Sequence, residues 1–175
     1  GDRTDKIYLQ RAVCPHIRSM IKIFLCILLV VLCTAFGWFL TRKHKQRKVF
    51  FYNLSLFNDR LINEVSYTKM PLTEFMNKYT FEGDFAKLLS DKKENGFRGT
   101  ECEFAYLTED DKNFVRDYFS MVGKSDAASQ KAYLTSVRAD TERLKKESDE
   151  NYKKHFNLYV KLGFLFGLML VVLLV

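Results

Sequence analysis

Two apolar blocks constrain this chain more than anything else in it: "IKIFLCILLVVLCTAFGWFL" over residues 21–40 and "LYVKLGFLFGLMLVVLLV" over residues 158–175. As a helix the second is about 27 Å long, close to the ~30 Å hydrocarbon core of a bilayer. Its one charge, Lys161, lies near the block's end, where a long side chain can snorkel to the head groups. A buried core helix would need apolar partners on every side, and no other block is large enough to supply them. The first block has comparable length and ends on Trp38, an interfacial residue type, before the basic run "TRKHKQRK". A cleavable signal sequence is the competing reading, but no small-x-small cleavage pattern precedes that run. Both blocks therefore read as membrane-spanning helices.

The formal net charge of +7 comes partly from Arg42, Lys43, Lys45, Arg47 and Lys48, directly after the first block. By the positive-inside rule this cluster places the middle of the chain in the cytoplasm, and Lys153, Lys154 and Lys161 before the second block agree. The same cluster is suited to anionic lipid head groups, at about 1 kcal/mol per cation near the surface. Nucleic acid is disfavoured, because the middle region has no interleaving of basic and aromatic residues. Residues 1–19, with Arg3, Lys6, Arg11 and Arg18, would pull the amino terminus to the same side. They show no periodicity, and Met20 opens the anchor, so they read as a leader upstream of the true start.

The segmentation that follows is a leader over 1–19, a membrane helix over 20–41, a cytoplasmic helical domain over 42–156 and a second membrane helix over 157–175. Inside the domain Phe50, Leu54, Phe57, Leu61 and Val65 recur every three or four residues, as on one face of a helix. Pro71 suits the first position of the next helix, whose inner face carries Leu72, Phe75, Met76 and Tyr79. "FEGDFAKLLSDKK" predicts a short helix with Phe85, Leu88 and Leu89 inward, and "ENGFRGTECE" predicts a surface loop. Thr108 and Asp111 have capping-box spacing ahead of Phe114, Val115, Tyr118, Phe119 and Val122, and Gly123 is placed to end that helix in a left-handed conformation. The chain restarts with Ser125 or Asp126 as N-cap. From Ala127 to Leu162 no Pro or Gly intervenes, and Leu134, Val137, Thr141, Leu144, Ser148, Asn151, His155 and Leu158 keep helical spacing. One continuous helix of roughly 70 Å, ending in lipid, is predicted. The fold class is all-α: a small helical bundle between two membrane helices.

Few residues suggest chemistry. There is no phosphate loop, nucleophile elbow or carboxylate pair in apolar surroundings, so no enzyme and no cofactor are expected. Cys102 lies between Glu101 and Glu103, whose charges oppose a thiolate, and its exposure to an impermeant thiol reagent would report topology. Cys14, Cys26 and Cys33 complete the cysteines without C-x-x-C spacing, and His16, His44 and His155 read as isolated from one another and from any ligand set, so no metal site is expected. "NLS" at Asn53–Ser55 matches a glycosylation sequon, meaningless in the cytoplasm. Gly163 and Gly167 form G-x-x-x-G, which lets a helix approach closely, from a second copy or from the first membrane helix opposite Gly37. A membrane-tethered enzyme, the alternative of another class, would require a cleft with convergent polar groups.

Four stretches, "MIKIFLCILL...GWFLTRKHKQR", "LINEVSYTKMPLTEF", "FSMVGKSDAASQKAYL" and "YVKLGFLFGLMLVVLLV", resemble the stage III sporulation protein AB family of endospore-forming bacteria. The resemblance covers about Met20 to Val175. It is carried by Glu64, Tyr67, Pro71 and Leu72, by Gly123, Ser125, Asp126 and Gln130, and by Leu162, Gly163 and Gly167, in the family's order. It implies an all-helical domain similar to the cytoplasmic domain of the type II secretion F platform protein. It also implies a non-enzymatic component of the channel complex between mother cell and forespore, in the mother-cell membrane. The implied partners are other channel subunits, among them the ATPase stage III sporulation protein AA, with a homo-oligomer as a further assembly. A platform of a type II secretion or type IV pilus system is the runner-up. The junction residues Gly123, Ser125, Asp126 and Gln130 are read as helix termination and restart before partner contact. One departure is the lack of Trp in the middle region, whose aromatic anchor "EFAYL" at Glu103–Leu107 is expected to replace.

Overall fold

The computed structural model describes residue 20 and residues 24–67, 70–95 and 102–174. The predicted leader, and most of the "ENGFRGTECE" loop, lie outside them. All described secondary structure is helical. A helical run from Phe24 is divided at Thr41, where the backbone N–H and the side-chain hydroxyl both donate to the Trp38 carbonyl, at 3.2 and 2.7 Å. Before it lies α1, residues 24–40, and after it α2, Arg42–Tyr67. Then follow α3 (Leu72–Lys78), α4 (Gly83–Glu94), α5 (Glu109–Met121) and α6 (Ala127–Leu174). The chain forms two compact units: one of α1 and the residues from Phe156 on, the other Arg42–His155.

The larger unit is a bundle on an aromatic core. Successive inward positions of α2 place Phe50, Phe51, Leu54, Phe57 and Leu61 in the interior, at most 2% exposed. Phe57 meets Phe75 of α3, Phe85 of α4 and Tyr118 and Phe119 of α5, with ring centroids 5.3–6.4 Å apart in edge-on or tilted geometries, worth about 0.5–1.5 kcal/mol each beyond their buried area. Asn58, fully buried on α2, accepts from the Tyr118 hydroxyl (3.0 Å) and donates to the Leu134 carbonyl (3.2 Å), tying α2 to α5 and α6. Phe104 and Tyr106 stack on each other at 5.7 Å and lie against Phe50, so "EFAYL" supplies the aromatic packing there.

Helix boundaries follow local chemistry. Thr108 and Asp111 form the capping box in both directions. Gly123 has φ +82°, as the end of α5 requires. Pro71 is the N-cap of α3 rather than its first residue: its ψ of 144° is extended while its carbonyl already accepts the Phe75 N–H. Of the two N-cap candidates for α6, Asp126 is the one used, accepting from the N–H groups of Ala128 and Ser129. The NLS sequon is interior to α2, with Asn53 buried and bonded to the Val49 carbonyl.

In the smaller unit α1 and the end of α6 run antiparallel in close contact. A Cβ at Gly37 would lie 2.7 Å from the Tyr159 carbonyl oxygen, one at Gly163 2.8 Å from that of Cys33, and one at Gly167 3.2 Å from Val30 Cα. The G-x-x-x-G face thus receives the first helix of the same chain. The two described helices long and apolar enough to cross a membrane bury only 11% and 6% of their most apolar windows, unlike the core helix of a soluble domain.

Candidate functional site

One residue of the first motif group, Leu72, meets three of the second, some fifty residues on in sequence, at one cleft. Leu72 from the start of α3 lies there with Gly123, Ser125 and Gln130 of the α5–α6 junction, around a volume of about 230 Å³. Contact is tight, since a Cβ on Gly123 would come within 3.0 Å of Leu72 Cδ2. Gln130 organises the junction. Its Oε1 accepts from the Gly123 N–H (2.9 Å) and more weakly from the Ser125 hydroxyl (3.4 Å), while its buried Nε2 has no hydrogen-bond partner. Asp126 is engaged as the α6 cap.

Glu64, Tyr67 and Pro71 do other things. Glu64, 6% exposed, accepts from Lys78 Nζ (2.5 Å) and the Tyr79 hydroxyl (2.6 Å), fastening the end of α2 to the end of α3. This pairing raises the Lys78 pKa. Tyr67, at the end of α2, is 86% exposed. Sequence reasoning placed Leu61, Val65 and Val122 on inner helix faces but did not bring them together with Met70 as the cleft's apolar wall.

The basic run divides. Arg42, Lys43 and Lys45 are exposed. Arg47 turns inward: its guanidinium donates to both Asp111 carboxylate oxygens at 2.8 and 2.9 Å and reaches Glu147 at 3.2 Å. Burial pushes the Asp111 carboxyl up, but hydrogen bonds from Arg47 and Thr108 outweigh it and hold the pKa below the ordinary value. Lys48 pairs with Asp149 at 2.7 Å. No sequence signal could have shown the Arg47–Asp111 pair, because its partners are 64 residues apart.

Two further expectations need correction. His44 and His155 are not isolated: α2 and α6 bring them into a parallel stack, centroids 3.9 Å apart and planes within 13°. Desolvation, then the nearby His155 and Arg47, lower the His44 pKa. Stacked rings do not direct two nitrogens at one ion, and among the described residues no three His, Cys, Asp or Glu side chains form a metal-sized group. Cys102 is 2% exposed and burial pushes its thiol up to about 11, so it reports neither topology nor nucleophilic chemistry.

Among the described residues the arrangement offers a cleft and a set of structural ion pairs. Compared with curated proteins and with solved structures, the chain finds no match in either. The family model of stage III sporulation protein AB matches residues 22–175, nearly all of the sequence, and the chain belongs to that family, which implies a role in stage III sporulation.

Proposed function

We propose that this protein is a non-enzymatic membrane scaffold of a secretion-like channel complex acting in endospore formation, between mother cell and forespore. The helical unit Arg42–His155 stands in the mother-cell cytoplasm, held by membrane helices on both sides of it in sequence. There it meets other channel subunits, among them the ATPase stage III sporulation protein AA. The family match carries this reading. Two weakly buried apolar helices and the exposed cations Arg42, Lys43 and Lys45 just after the first support the membrane placement and its sidedness. The test is deletion of the gene in a sporulating host, with co-isolation of channel subunits from membranes. The scaffold reading expects arrest at stage III and loss of the ATPase from the membrane fraction. Normal recruitment and assembly without this chain would contradict it.

A further inference from the structure

The cleft at the α5–α6 junction has a property that helix termination does not require. Gln130 is 5% exposed and already satisfies the junction through Oε1, yet its Nε2, an amide carrying two donors, is buried without a partner. Burying such an orphan is unfavourable unless an acceptor arrives. The wall around it is apolar, built from Leu61, Val65, Met70 and Val122. Large apolar side chains also stay exposed close by in sequence: Met121, beside Val122, is 52% exposed, and Tyr67, two residues after Val65, is 86% exposed. A volume of about 230 Å³ holds one large side chain and falls short of the roughly 300–1,000 Å³ of small-molecule sites.

Charge narrows the occupant further. Lys124 is exposed between Gly123 and Ser125, both on the cleft. An exposed cation flanked by two cleft residues favours a negative group on the occupant.

We propose that this cleft docks a peptide segment of a partner protein bearing one bulky apolar residue beside an acidic one. The apolar side chain fills the cleft, its backbone carbonyl accepts from Gln130 Nε2, and the carboxylate meets Lys124. Seating it requires side-chain rotation at the cleft mouth, of the kind common at interfaces. This deepens the scaffold reading and rests on it, by giving that scaffold a defined contact.

The test uses the full chain in lipid nanodiscs with methyl-labelled methionine, Met70 and Met121 reporting on the cleft and Met76 and Met169 serving as controls. The probes are synthetic decapeptides with a central Leu or Phe flanked by Glu, the same peptides flanked by Lys, and Glu-flanked peptides with a central Ser. Glu-flanked Leu or Phe peptides are expected to shift Met70 and to bind about tenfold more tightly than Lys-flanked ones. Lys124→Glu, a surface change, reverses that preference. Gln130→Glu keeps the acceptor for Gly123 but removes the donor, and lowers affinity about tenfold. The proposal is overturned if no peptide moves Met70, if Met70 shifts with chain concentration instead, as a second copy in the cleft would cause, or if neither substitution changes binding. Peptide failure with channel subunits still co-isolating defeats the cleft proposal alone. Peptide binding alongside normal channel assembly in the deletion strain defeats the scaffold reading instead.

Discussion

Asp111 concentrates several roles in one carboxylate: it closes the capping box of α5 and takes the bidentate contact of Arg47 from α2. Asp111→Ala leaves a guanidinium only 12% exposed without its main partner and should cost about 3–5 kcal/mol, read as a fall in the thermal midpoint of the full chain in detergent. The same pairing sets an acid limit. Because the folded-state pKa is depressed, the stabilisation is complete above the unfolded-state value near 4 and is lost as pH falls through the lower folded value. An acid titration of near-UV circular dichroism should show this loss below about pH 4, and Asp111→Asn should flatten it. Cys102 gives a second check. Its buried, protonated thiol should react with a maleimide at least about a hundredfold faster in denaturant than in the native chain.

At the scale of elements, what was legible in the sequence was what local chemistry decides. The periodic apolar positions of α2 and α5, the Thr108 cap and the left-handed Gly123 all depend on neighbours within a few residues, and each lies where the spacing places it. What needed tertiary contact was not legible. The His44–His155 stack, the inward turn of Arg47 and the meeting of Leu72 with Gly123 join residues dozens of positions apart. Gly123→Ala tests the local part: the left-handed backbone and the Leu72 contact should together cost about 1–2 kcal/mol in thermal stability. Gly163→Ile tests the pairing of α1 with the end of α6. With the Cys33 carbonyl 2.8 Å from its Cβ, backbone must move, and protease resistance of the detergent-solubilised pair should be lost.

For the whole molecule, the account depends on the helical unit Arg42–His155 lying on the cytoplasmic side of a membrane crossed by apolar helices before and after it. Lys146, 80% exposed on α6, offers a reporter that Cys102 cannot. The decisive measurement is labelling of Lys146→Cys by a membrane-impermeant maleimide, in a chain whose Cys14, Cys26 and Cys33 are replaced by alanine, in intact and in permeabilised cells. The account predicts labelling only after permeabilisation; equal labelling of intact cells would contradict it.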